Sequence, residues 1–327
     1  MRSFVLKLVV FLLLQGAGLA LLLRYYDAGG TNYFGSIVDK HQRLEHTAPP
    51  RIILLGGSNV PFGFDSDVME KTLGRPVVNM GVAAGLGAEF MLADVESELR
   101  AGDILVLSLE YDHFARGAGG SGFDPAVLQQ ALIFRPKGLL SLGPMHFRKI
   151  VLDRGLMLLG EITRRGLRVG VHAKSAERPG ERSARAAFNA WGDLGGHRGD
   201  PARITAEAVE RLPIVLPLPD YPNKNLLRHL AHFVERSAKK GVVVAFTFPP
   251  KPEGALRRDR DRADRLAAAL REIPGLILLD TPQEQGYPAG QFFDSANHLT
   301  AQGAAARTRK VSAALRRILK ASPRPDV

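Results

Sequence analysis

The sequence predicts an α/β protein of three layers, built on a mainly parallel five-stranded sheet and preceded by an N-terminal transmembrane helix. Three observations carry this. Short apolar runs recur before glycine-rich turns, helical stretches alternate with them, and a leucine-rich segment without charge opens the chain.

That opening segment comes first. Arg2 and Lys7 introduce Leu8–Leu23, whose only polar interruption is Gln15. Sixteen residues at helical rise span about 24 Å, and Phe4–Leu6 lengthen the run if Lys7 reaches back to the headgroups. Small residues at 16–18 and Ala20 suit a signal-peptide cleavage site, but Leu21, Leu22 and Leu23 continue the run past it, so an uncleaved anchor over 1–27 is expected. The basic start then leaves the globular part outside the cytoplasm, in the periplasm where a second membrane exists, with the inner membrane as a partner through residues 4–23. Residues 28–50 read as a juxtamembrane linker ending in Pro49-Pro50.

Arg51–Leu55 is the first strand. Its unbroken apolar run suits burial on both faces of a parallel sheet, and it ends in Gly56-Gly57-Ser58-Asn59. A helix follows, with Asp65 or Asp67 as N-cap and Gly74 as its stop. Pro76–Met80 is the second strand, Ala88–Leu99 a helix, and Asp103–Leu109 the third strand, leading into Glu110-Tyr111-Asp112. Residues 115–215 break the rhythm and read as an insertion. Asn223–Lys239 is an amphipathic helix, Gly241–Phe248 and Gly275–Asp280 are the last two strands, and a helix runs to about Leu319. The main domain is therefore expected over 51–320, with a tail at 321–327.

Composition narrows the chemistry. The 327 residues contain no cysteine, which excludes a disulfide framework, a thiolate metal site and a cysteine nucleophile. The net charge of +11 suits an anionic membrane surface. With 7% aromatics and no base-stacking motif, nucleic acid is not an expected partner. His229 and His232 share a helix with Glu235, but their spacing is not that of a zinc peptidase, and no metal site is expected.

Ser58 stands where a strand gives way to a helix, at the carboxyl edge where parallel sheets bind ligands. A Gly-rich turn with a capping serine would look the same, and Val60 breaks the Gly-x-Ser-x-Gly elbow of α/β-hydrolases. The C-terminal cluster adds what a serine nucleophile needs: a base in His298 and an orienting carboxylate in Asp294. The basic last helix, with Arg307, Arg309, Lys310, Arg316, Arg317 and Lys320, reads as a solvated face, with contact to an anionic lipid or polysaccharide as the alternative. Asn189–Asp193 with His197, a polar cluster around the single tryptophan Trp191, is either a substrate-facing loop or a structured turn.

Taken together, Gly56-Gly57-Ser58-Asn59, Asn79-Met80-Gly81 with Gly85, and Asp294 to His298 resemble the SGNH/GDSL hydrolase superfamily, in its membrane-anchored bacterial branch. The resemblance implies a flavodoxin-like sheet, Ser58 as nucleophile, His298 as base, and Gly85, or else Gly81, as an oxyanion amide. Two positions depart from the family's pattern. Its third block supplies an asparagine, where this chain has Glu110; Asn59, or Asn189 from the insertion, is the candidate substitute donor. Its aspartate stands three residues before the histidine, whereas Asp294 stands four before His298, so Glu110 is a second candidate to orient the base. The expected activity is that of a serine esterase or deacylase without cofactor, removing acyl or acetyl groups from a small molecule or an envelope or exported polysaccharide. The alternatives are an O-acyltransferase using the same Ser/His pair, and a non-catalytic scaffold in polysaccharide assembly.

Overall fold

A computed structural model describes residues 32–115, 123–143, 185–215 and 221–321, with single positions among 7–14 and 147–150. The expected membrane span at 4–23 lies outside these residues except for those single positions, as do the tail beyond 321 and the Gly-rich stretch at 117–122. Among the described residues no helix is long and apolar enough to cross a membrane.

The strands are β1 (Ile52–Gly56), β2 (Val77–Asn79), β3 (Ile104–Ser108), β4 (Val243–Phe246), β5 (Lys251–Pro252), β6 (Ile277–Leu278) and β7 (Gly286–Tyr287). Five of them form one parallel sheet in the order β2-β1-β3-β4-β6, and β5 pairs with β7 separately. Each of the five expected strands is found, and β1 lies inside the sheet rather than at its edge. The order reverses between β1 and β3, the crevice where doubly wound sheets hold ligands. Gly56, the last residue of β1, pairs with Ser108, the last of β3, so the Ser58 turn and Glu110 leave the sheet side by side.

Alternate residues of the strands feed two cores. Ile53, Leu55, Leu105, Leu107, Val244 and Phe246 face one, and Ile52, Leu54, Ile104, Val106 and Ala245 face the other. Helices cover both faces: α1 (Ser36–His46), α2 (Asn59–Gly63), α3 (Ser66–Leu73), α4 (Ala88–Glu96), α5 (Pro125–Phe134), α6 (Ala206–Arg211), α7 (Lys224–Lys239), α8 (Glu253–Arg258), α9 (Arg260–Arg271) and α10 (Ala301–Ala321). Asp65, not Asp67, caps α3 through a bond from the Val68 amide. Gly74 ends that helix in the left-handed conformation at φ 65°, where a side chain would be strained.

One segment departs from expectation. Within the stretch read as a linker, α1 packs against the sheet through Ile37 and Leu44 and buries Lys40 and His41. Tertiary partners make this affordable in energy terms. Lys40 Nζ donates to the carbonyls of Asn79 and Gly192 and lies 4.8 Å from the centre of the Phe188 ring. His41 bonds Asp94 at 2.8 Å and Glu98 at 2.9 Å. The described part of the insertion contributes α5, capped by Asp124, and a segment from Arg185 that docks on α2 through a bond from the Leu194 amide to the Pro61 carbonyl.

Candidate active site

Ser58 opens α2 in helical conformation, at φ −66° and ψ −20°, yet its side chain makes no capping bond. The hydroxyl is thus left to a partner far away in sequence. That partner is His298, whose Nε2 lies 2.8 Å from Ser58 Oγ. On the other side of the ring, Nδ1 lies 2.6 Å from Asp294 Oδ1. Carboxylate, imidazole and hydroxyl therefore form one hydrogen-bonded chain.

The four-residue spacing of Asp294 and His298 is resolved by a tight loop. The Phe293 amide donates to the His298 carbonyl at 2.8 Å, and Phe292 bridges Leu299 in antiparallel fashion, so the loop closes with both side chains on one side. His197, from the insertion, reinforces it: its Nε2 donates to the Leu299 carbonyl at 3.0 Å. Phe62, four residues after Ser58, lies flat on the His298 ring, with centroids 3.9 Å apart and planes 7° apart. Side-chain exposures of 18% for His298 and 34% for Asp294 leave this edge open to solvent. Burial by itself would raise the Asp294 carboxyl, but the bond and charge of His298, with His197 and Arg203, outweigh it and leave the net shift downward. An ionised carboxylate facing Nδ1 holds the proton there and leaves Nε2 to accept from the serine.

Glu110, Asn59, Asn189 and Gly81 are engaged elsewhere than expected. Glu110 does not reach His298. It is 1% exposed, and its oxygens accept from the amides of Gly57 at 3.2 Å and Asn59 at 3.3 Å. Asn59 is no oxyanion donor either. Its Nδ2 donates to the Ser108 carbonyl at 2.9 Å, and its Oδ1 accepts from Ser108 Oγ at 2.9 Å and from Arg307 at 3.1 Å. Asn189 spends its side chain within its own turn, accepting from the amides of Trp191 and Asp193. That turn is structural: the Asn79 amide donates to the Trp191 carbonyl, and Asp193 accepts from Asn79 Nδ2 and Ser66. The Gly81 amide is engaged by Asn79 Oδ1 at 3.0 Å.

Gly85 fares differently. It lies in the 3-10 turn Ala84–Leu86, and among the described residues no hydrogen bond uses its amide or that of Ser58. The two loops abut, since a Cβ added at Gly57 would stand 2.7 Å from Ala84 Cα. His113 Nε2, bonded to the Ala84 carbonyl at 2.9 Å, holds the second loop in place.

Three side chains at the site were given no part in it by the sequence. Arg307 is fully buried rather than solvated, and it donates to the Asn59 carbonyl at 2.9 Å and to Ser108 Oγ at 2.7 Å. Its spacing was the available signal, because it falls in phase with Ala304, Val311 and Ala314, three of the buried positions of α10. Phe62 had no signal beyond being aromatic, and His197 stood out only as part of the polar cluster around Trp191. Among the described residues no group of three or more acidic or histidine side chains is arranged to hold a metal. No protein-family model matches the chain, and no curated protein is significantly similar to it.

Proposed function

We propose that the protein is a serine esterase that removes acyl groups from hydroxyl oxygen, with Ser58 as nucleophile, His298 as base and Asp294 as the carboxylate that orients it. The observation that carries this reading is the hydrogen-bonded chain from Asp294 through His298 to Ser58, assembled from opposite ends of the sequence at the carboxyl edge of the sheet. Ser58 Oγ attacks the ester carbonyl while its proton passes to His298 Nε2. The tetrahedral intermediate collapses as Nε2 returns that proton to the leaving alkoxide. Water, deprotonated by the same nitrogen, then releases the acid and restores the serine. The amides of Ser58 and Gly85 are the donors proposed for the oxyanion.

The resemblance to SGNH/GDSL hydrolases belongs to this proposal, as does tethering to a membrane through residues 4–23 with the site outside the cytoplasm. An acylated envelope or exported polysaccharide is the proposed substrate class. The test is labelling of the full chain by a fluorophosphonate probe, alongside hydrolysis of p-nitrophenyl acetate. Ser58→Ala and His298→Ala should each abolish both signals, and the double variant should be no worse than either, because the pair acts as a unit. Labelling that survives Ser58→Ala would overturn the assignment. Labelling with acyl transfer to an added sugar, in place of acid release, would identify an O-acyltransferase, and an unreactive Ser58 would identify a scaffold.

A further inference from the structure

We propose that Glu110 and Arg307 are positioning residues, which clamp the Gly57-Ser58-Asn59 turn from inside the protein and so leave the Ser58 amide as the oxyanion donor. The inference rests on the serine-esterase reading. It explains how the site manages with a glutamate where the resembled family has an asparagine.

Three successive amides are at issue. Those of Gly57 and Asn59 turn inward onto Glu110, one on each carboxylate oxygen. The Ser58 amide between them has no partner among the described residues. On the far side of Asn59, Arg307 Nη1 takes its carbonyl at 2.9 Å and its Oδ1 at 3.1 Å, while Nη2 takes Ser108 Oγ at 2.7 Å and the Phe248 carbonyl at 3.3 Å. The turn is thereby tied to the ends of β3 and β4 and to α10.

Both clamping side chains are buried, at 1% and 0% exposure. Burial lowers the Arg307 guanidinium to about 10, against the opposing pull of Tyr287, Asp280 and Glu110, so it is a cation at neutral pH. His113 Nδ1 stands 3.2 Å from Glu110 Oε2, and the guanidinium on the far side of the turn offsets the field that a carboxylate there would set against a developing oxyanion. Only a carboxylate fits the acceptor role, because it offers two oxygens and no donor. A glutamine would set an NH2 group against one of the two amides. Gly57 completes the device, since a Cβ there would lie 2.3 and 2.6 Å from the Glu110 oxygens.

The oxyanion develops in the transition states flanking the tetrahedral intermediate and is absent from the bound ester, so disturbing the clamp should lower kcat and leave KM nearly alone. The experiment compares the full-length protein with Glu110→Gln, using p-nitrophenyl acetate, a fluorophosphonate probe and phenylboronic acid, which forms a tetrahedral adduct on serine. Glu110→Gln should lower kcat about 10²-fold, the usual effect of a lost oxyanion donor. KM should change less than about three-fold, and the boronate inhibition constant should rise with the fall in kcat. The fluorophosphonate should label every site, only more slowly. Loss of labelled sites at an unchanged rate per site, or kcat within about three-fold of wild type in a cooperatively melting variant, would overturn the clamp. If Glu110→Gln does not fold, amide NMR of the wild-type chain decides. Phenylboronic acid should shift the Ser58 amide downfield and leave those of Gly57 and Asn59 nearly in place, and any other pattern overturns the proposal. A wild-type chain that neither labels nor hydrolyses the ester overturns the esterase reading and the clamp with it, whereas an active wild type with an unaffected variant overturns the clamp alone.

Discussion

The Ser58 turn and the Asp294–His298 loop meet at a single hydrogen bond, yet they are held by different means. The first is fixed from within. Its backbone is bonded to Glu110 and Arg307, and Asn59 and Ser108 beneath it are buried. The second is fixed by its own closure, through Phe293 to His298 and Phe292 to Leu299, with aromatic contacts from Phe62 and the insertion. Buried charged groups couple position to folding, because leaving one unpaired costs several kcal/mol. A partly exposed loop carries little of that burden. Changes in the Ser58 turn should therefore disturb stability and activity together, and changes in the histidine loop activity alone.

The largest effect that can break this contrast is on activity. Glu110 is committed to the Ser58 turn, so Asp294 has no understudy. Asp294→Asn should reduce kcat for p-nitrophenyl acetate by about 10⁴, since an amide can stabilise the wrong imidazole tautomer. Stability should fall by less than about 1 kcal/mol, as for an exposed ion pair. Chemical denaturation of the same preparation measures the second quantity, and a loss of several kcal/mol would erase the distinction between the regions. Next in size is Gly57→Ala. The new methyl group would collide with the Glu110 carboxylate and with Ala84 backbone. A loss of about 3 kcal/mol is expected from overpacking, together with loss of fluorophosphonate labelling. Retention of wild-type stability would mean that the turn is looser than its contacts imply.

The same contrast governs what could be read from the sequence. The strands were legible because β1, β3 and β4 are continuous apolar runs, and α3 because Asp65 and Gly74 are local signals. Ser58, His298 and Asp294 were legible as residue types in a suggestive order. The groups that place them were not, since Glu110 and Asn59 are 51 positions apart and Arg307 and Asn59 are 248 apart. Side-chain chemistry alone suggested that Glu110 could not donate, but not what it would accept. Charge misled at Arg307, and the linker reading missed α1, where Lys40 is buried against carbonyls supplied by β2 and the insertion. Local rules assign charges to the surface, and tertiary contacts make the exceptions.

Acid titration sharpens the comparison by its sign. Asp280 closes the floor behind Arg307, accepting from the Phe248 amide at 2.9 Å and from Gln285 at 2.7 Å. Burial raises its carboxyl to about 6, beyond what the bonds from Thr247, Phe248 and Gln285 restore. The native state then holds a proton that the unfolded chain has released, so this group's contribution is fully present below about pH 4 and is lost as pH rises to about 6. Asp294 is shifted downward, so its contribution is present above the ordinary carboxylate range and lost as pH falls. Asp280→Asn should remove a negative slope of stability against pH, on the order of 1 kcal/mol per unit between about pH 4 and 6. Asp294→Asn should remove a smaller slope of opposite sign at lower pH. Urea denaturation from about pH 2 to 6 reads both, and slopes of the same sign would contradict the assigned environments.

The smallest expected effect tests the contact that spans both regions. Phe62 rises from α2, directly after the Ser58 turn, and its ring lies parallel to His298 at 3.9 Å. During acylation the imidazole becomes a cation, and the face of an aromatic ring attracts a cation more than a neutral ring. Because Phe62 is 7% exposed, the attraction is only partly screened by water. Phe62→Leu keeps an apolar side chain of similar bulk against His197 and Phe293 but removes the ring's negative face. A loss of about 1 kcal/mol of transition-state stabilisation, or roughly five-fold in kcat with KM unchanged, is the expected result. Phe62→Tyr retains the ring face and should restore most of the rate. If both variants lose the same factor, the ring acts only as packing, and the histidine loop is held by its backbone closure without electrostatic help from the helix that carries the nucleophile.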